Sequence, residues 1–139
     1  MADLFTDYYE TAIEPGEVLT DVLVPLPTAQ RGAAFLKFMP RTADDYATVG
    51  VAASLRKDGG VLRDVRIGLG ALGSTPLRAR DAEAILEGQP PEEGTLRAAA
   101  AAVQAQVDPL SDLRGSADYK RDMAAVFTYR ALQRALERA

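Results

Sequence analysis

Near Pro76 the spacing of apolar residues changes from every second position to every third or fourth, and that change limits the architectures open to this chain. Strands gathered before helices predict an α+β fold, because a parallel βαβ sheet would interleave the two. The expectation is an antiparallel sheet of three to four strands followed by three helices packed on one face. A single domain over residues 1–139 is expected, with strands within 1–75 and helices within 76–139; this length suffices to bury a real core.

The strand half is punctuated by turn residues. "EPGE" at 14–17 precedes "VLTDVLVPLP", where Val18, Val22 and Val24 share a face until Pro25 and Pro27 end a first strand. "GAAFLKFMP" reads as a second strand closed by Pro40. In "ATVGVAASL", Val49, Val51, Ala53 and Leu55 form a core face, and Thr48, Gly50, Ala52 and Ser54 form a face of small residues. Asp58-Gly59 suits a tight hairpin, after which Val65, Ile67, Leu69 and Ala71 alternate on an antiparallel neighbour.

Helical spacing then predicts "LRARDAEAILEG" stopped by Gly88, an alanine-rich helix "GTLRAAAAAVQAQV" ending before Pro109, and a last helix opening at Ser116. Tyr119, Met123, Val126, Tyr129, Leu132 and Leu136 mark the expected apolar stripe of that last helix.

Gly68, Gly70 and Gly73 spell G-x-G-x-x-G within "IGLGALGSTP". A dinucleotide fingerprint needs those glycines in a turn that opens directly into a helix of a βαβ unit. Here Gly68 and Gly70 alternate inside a strand, Pro76 delays the helix, and no parallel strand follows. With Gly50, Ala52 and Ser54 they form a small-residue face, open to two readings: a platform where a flat ligand or another backbone approaches, or plain structural economy.

Cysteine and histidine are both absent, which excludes disulfides, Cys/His metal sites, thiol nucleophiles and imidazole-based triads. The net charge of -4 and the scatter of the 16 basic residues argue against nucleic-acid binding. No apolar run approaches a membrane span, and the acidic opening "MADLFTDYYET" shows no export signal, so a cytoplasmic location is expected.

The densest polar group is "FLKFMPRTADDYATV", in which Lys37, Arg41, Asp44 and Asp45 surround a Pro-bounded turn between strands, where binding groups often sit. Asp44 and Asp45 read either as an acid/base pair, for a carboxylate hydrolase, or as a solvated turn with one Arg-Asp pair. Tyr8 and Tyr9 in "DYYE" read as packing aromatics or as ligand contacts.

The blocks "FTDYYETAIEPGEVL", "FLKFMPRTADDYATVGVA", "DVRIGLGALGSTPLRA" and "SDLRGSADYKRDMA" together resemble the C-terminal domain of the FAD-binding medium subunit of molybdenum hydroxylases, the xanthine dehydrogenase and carbon monoxide dehydrogenase family. The resemblance covers nearly the whole chain and is most specific at Arg41, Asp45, Ala47 and Val49. It implies a sheet carrying three helices that closes over the isoalloxazine ring of FAD, while a preceding FAD-binding domain holds the phosphates and adenosine with its own glycine loops. Those loops are not found here, so the resemblance implies no independent FAD affinity and no activity of the chain alone. By position it implies Tyr9 near the flavin ring and Asp45 at its pyrimidine edge, accepting a hydrogen bond from N3-H. Lys37 and Arg41 either touch the flavin or orient Asp45. The implied partners are the FAD-binding N-terminal domain, an iron-sulfur subunit and a molybdenum subunit; a stand-alone α+β interaction module without flavin is the rival reading.

Overall fold

The computed structural model describes residues 4–26, 30–39 and 46–139. A small hairpin of β1 (Phe5–Asp7) and β2 (Glu10–Thr11) comes first, and a four-stranded antiparallel sheet follows in the order β3 (Arg31–Phe38), β4 (Val49–Asp58), β5 (Val61–Gly70) and β6 (Leu77–Arg78). The helices are α1 (Arg80–Leu86), α2 (Glu93–Ala102), continued by a 3-10 turn at Val103–Gln106, and α3 (Ala117–Leu136).

The period-two pattern places the core as expected. Val49, Val51, Ala53, Leu55, Val65, Ile67 and Leu69 are all buried on the helix side of the sheet. β4 and β5 meet through a two-residue turn, Gly59-Gly60, with φ of +58° and +82°. The turn therefore sits one residue beyond the expected Asp58-Gly59, because both central positions need the left-handed backbone that glycine adopts without strain.

Leu62 is buried although it is out of phase with Val65. A bulge reconciles the two: the β4–β5 register shifts between Ser54 and Arg56, and Asp64 takes φ +52°. The Asp64 carboxylate lies 3.4 Å from Arg56 Nε and 3.5 Å from Arg31 Nη2.

The segment 18–26, expected as a first strand, forms no strand and is exposed throughout. The fourth strand is instead β6, where Leu77 and Arg78 pair with Leu69 and Gly68. The first helix thus starts at Arg80 rather than just after Pro76. Both differences have one cause: period two reports an extended chain and does not say which neighbour it pairs with.

Beyond β6 the open edge of β5 is completed by α1. Ile67 N-H donates to Glu83 Oε1 at 2.8 Å, and Asp64 and Val65 N-H donate to the Glu87 carboxylate at 3.2 Å. Arg78 in turn donates to Glu83, with Nη2 2.7 Å from Oε2. Two carboxylates one helical turn apart thereby do what another strand would do, and leave no sticky edge there. Gly88, with φ +77°, ends α1 as expected, and its N-H donates to Leu62 O at 2.8 Å.

α3 lies across β3 and β4, α1 packs on β5, and α2 packs against α1 and α3. Ser116 caps α3, accepting from Tyr119 N-H at 3.2 Å. The buried stripe of α3 is Ala124, Thr128, Ala131, Leu132 and Ala135, rotated from the expected one, of which Leu132 alone is fully buried. Close packing on the sheet selects small residues, and the larger Met123, Phe127, Tyr129 and Leu136 flank them, partly buried.

Candidate functional site

The end of the sheet where β3 stops and β4 starts gathers the residues of interest. Phe38 pairs with Val49, and Thr48 N-H donates to Phe38 O at 2.9 Å, so the strands grip both ends of the connecting segment. Phe38 is anchored in turn against Phe127, with ring centroids 4.9 Å apart, and Tyr46 sits under the Arg114 guanidinium at 5.7 Å. Arg41, Asp44 and Asp45 fall in this connection and lie outside the described residues.

Lys37 is the penultimate residue of β3 and points to the face away from the helices. There it borders a shallow apolar depression of about 390 Å³ with Phe35, Gly50, Gly70, Pro76 and Leu77. Across the strands Lys37 is level with Gly50, and Gly50 with Gly70. A side chain on Gly50 would meet the Phe35 ring at 3.8 Å, and one on Gly70 would meet nothing within 4 Å. No atom of the described chain therefore requires glycine at 70, although Thr48 and Gly50 of the expected small-residue face are buried.

Tyr9 occupies the second position of the β1–β2 turn with φ +56°, which is strained for a bulky side chain. Its relative exposure of 106% puts the ring wholly in solvent. Tyr8, passed over at the sequence level in favour of its neighbour, is the less exposed of the two, at 46%. With Gly73, Ser74, Thr75, Leu77, Gln106, Asp108 and Leu110 it lines a second cleft of about 380 Å³. Leu77 belongs to both walls, so the hairpin cleft and the Lys37 depression adjoin at one end of the sheet. The structure thus brings the hairpin and Lys37 to neighbouring surfaces. No periodicity signals the loop residues 106–110; only the fold sets them opposite Tyr8.

The loop from Val107 into α3 is fixed by a buried cation. Lys120, 4% exposed, donates to Leu110 O at 2.7 Å and pairs with Asp112 Oδ2 at 2.8 Å. The hydrogen bond from Lys120, then that from the Arg114 N-H, holds the Asp112 carboxyl below the usual carboxylate range. Leu110 is thereby held at the mouth of the Tyr8 cleft.

The depression is shallow and largely apolar, and no phosphate cradle is formed among the described residues. Gly68 and Gly70 lie within the ladders of β4 and β6, so their amides do not form an open nest, and the helix that follows begins only at Arg80. Among the described residues no cluster of metal-ligating side chains exists and no helix is long and apolar enough to cross a membrane.

Residues 34–135 match the family described as CO dehydrogenase flavoprotein C-terminal domain. The carbon monoxide dehydrogenase medium chain of Afipia carboxidovorans is 40% identical over 137 residues, covering 99% of this chain and 47% of that protein. The glyceraldehyde dehydrogenase medium chain of Sulfolobus acidocaldarius is 29% identical, covering 94% of this chain and 46% of that one. Among solved structures, carbon monoxide dehydrogenase from Hydrogenophaga pseudoflava superposes with a TM-score of 0.95 at 40% identity, over 99% of this chain and 48% of that chain. Quinoline 2-oxidoreductase from Pseudomonas putida 86 gives a TM-score of 0.88 at 33% identity, over 97% and 46%.

The fold is that of a flavoprotein C-terminal domain. This chain belongs to the CO dehydrogenase flavoprotein C-terminal domain family. It spans about half the length of the curated relatives it matches. The rival reading as a stand-alone interaction module is not favoured by these similarities.

Proposed function

We propose that the chain serves as the C-terminal domain of the FAD subunit of a molybdenum hydroxylase-type oxidoreductase, covering the isoalloxazine ring and docking against the other subunits. The observation that carries this reading is the match of nearly the whole chain to about half of a carbon monoxide dehydrogenase medium chain, which leaves the other half to grip the rest of the cofactor. The lack of a phosphate cradle among the described residues of the candidate site supports the same division. FAD, when bound, supplies the passage of electrons between the iron-sulfur subunit and an acceptor, while the protein fixes its position and electronics.

The residues of this chain then bind and orient. Tyr9, standing free on its hairpin, shields one edge or face of the ring, and Asp45 accepts from N3-H. Lys37 and Arg41 set the charge around Asp45 or meet the flavin themselves. The partners in this reading are the FAD-binding N-terminal domain, the iron-sulfur subunit and the molybdenum subunit. A cytoplasmic location belongs to the same proposal, and fractionation of the native complex tests it.

Titration with FAD tests the reading. The chain alone is expected to leave FAD fluorescence unquenched, and the assembled medium chain to bind it stoichiometrically, more weakly with Asp45→Ala. Tight stoichiometric binding by the chain alone would contradict the division of labour.

A further inference from the structure

The turn at 110–115 is held by polar contacts and not by packing. Leu110 and Leu113 are 62% and 98% exposed, so apolar burial does not fix it. Lys120 reaches in from α3 instead, its ammonium donating to Leu110 O at 2.7 Å and pairing with Asp112 Oδ2 at 2.8 Å. Within the turn Asp112 and Gly115 exchange backbone hydrogen bonds at 3.1 Å, and Arg114 N-H donates to Asp112 Oδ1 at 2.8 Å. Ala117 N-H donates to Ser111 Oγ at 2.9 Å, which ties the turn to the start of α3. Burying an ammonium is costly, and an apolar pair of similar volume often serves stability as well; what the ion pair adds is one fixed arrangement.

From that fixed turn contacts diverge to two separate parts of the candidate site. On one side Leu110 lines the same cleft as Tyr8, which belongs to the β1–β2 hairpin. On the other the Arg114 guanidinium lies 5.7 Å over the Tyr46 ring. Gly115 sits so close to the Tyr119 ring that a side chain there would approach Cδ1 to 2.6 Å, and Tyr119 is 6.4 Å from Phe38 between centroids. Phe38 and Tyr46 flank the segment that carries Arg41 and Asp45 in the sequence.

We infer that Lys120 is a positioning residue for the flavin: through the 110–115 turn it sets, from one point, both the hairpin that bears Tyr9 and the strand ends that bracket Arg41 and Asp45. The inference rests on the proposed function and adds the group that holds its two walls in register. The start of the loop is fastened separately, since Asp108 N-H donates to Leu72 O at 2.9 Å, so loss of the clamp frees the turn and not the whole connection. The other ion pair of this loop, Arg121 with Asp108 at 3.2 Å, has a carboxylate that is 96% exposed and holds little.

Hydrogen exchange on the chain alone reads the positioning without a cofactor. The Ala12 amide donates to Leu4 O at 2.8 Å at the base of the hairpin, and the Thr48 amide to Phe38 O at 2.9 Å. Both are expected to exchange about tenfold faster in Lys120→Met, with the β4–β5 amides unchanged. In the assembled medium chain the same variant should raise the FAD dissociation constant about tenfold, and Lys120→Arg, which keeps donors for both oxygens, should recover most of the loss. Coupling separates positioning from a general loss of stability: Tyr9→Gly and Asp45→Ala should each weaken FAD binding by a smaller factor in the Lys120→Met background than in the parent. Asp112→Ala, at the exposed end of the pair, gives the same comparison if Lys120→Met does not fold.

Exchange quickened only inside the turn, or an FAD dissociation constant that stays within about twofold of the parent in the folded variant, overturns the inference and leaves the flavin reading standing. Factors that simply multiply in the double variants overturn it as well, because they reduce Lys120 to a stabilising group. A parent medium chain that takes no FAD, with Ala12 and Thr48 still released by Lys120→Met, overturns the flavin reading and with it the flavin role of Lys120.

Discussion

The backbone of Gly32 in β3 lies against the carbonyl of Ala135 in α3. A methyl group on Gly32 would overlap the Ala135 oxygen and approach Ala139 N to 2.8 Å. α3 approaches the sheet backbone closely here, which explains why its buried stripe carries alanine at Ala131 and Ala135.

Gly32→Ala is accordingly expected to destabilise the fold by about 2–3 kcal/mol, since neither backbone can yield without moving an element. Gly70→Ala, with nothing within 4 Å of the added methyl, should stay within about 0.5 kcal/mol of the parent. Urea unfolding of the two variants makes the comparison; equal losses would remove the close-approach explanation.

Glu83 stands in for a missing strand residue. Replacing it with alanine leaves the Ile67 amide unsatisfied in a buried place and Arg78 without its partner, at a cost of about 2–4 kcal/mol. Hydrogen exchange should show the effect first at Ile67. Glu83→Gln, which retains an acceptor, is expected to lose less than the alanine variant.

Lys120 gives the fold one acid-sensitive joint. The Asp112 carboxyl titrates lower in the folded chain than when unfolded, so its contribution is complete above the ordinary aspartate range, near pH 4, and is lost as pH falls through the lowered folded value. Denaturation midpoints measured from neutral pH down to about pH 2.5 should fall below pH 4 in the parent, and the Asp112→Asn variant should show a shallower fall over the same window. A parallel pair of curves would rule the joint out as a contributor.

Substitution at Tyr9 tests the proposed flavin contact apart from stability. Glycine accepts φ +56° without strain, so Tyr9→Gly should leave the thermal stability of the chain alone unchanged or raise it by up to about 1 kcal/mol. In the assembled medium chain the same change should weaken FAD binding. An unaltered FAD affinity would take Tyr9 out of the flavin contact.

Much of this was legible in the residues. The hairpin of β4 and β5, the cap at Ser116 and the stop at Gly88 are local events, set by glycine, proline and hydroxyl side chains within a few residues of their effect. Of the candidate site, Lys37 stands at the end of the sheet as its place before Pro40 suggested, while Arg41 and Asp45 lie outside the described residues. Periodicity did not separate Tyr8 from Tyr9; the turn, with its left-handed position at Tyr9, leaves Tyr8 the less exposed of the two.

By itself the sequence determined that strands precede helices, which faces are apolar, and that imidazole and thiol chemistry are closed to this chain. Tertiary structure alone decided that β6 and not the 18–26 arm joins the sheet, that Asp64 bulges, that Glu83 and Glu87 complete an edge, and that Gly32 makes room for α3. Periodicity records that a face is to be buried and is silent about what buries it, since the covering atoms come from residues far away in the chain.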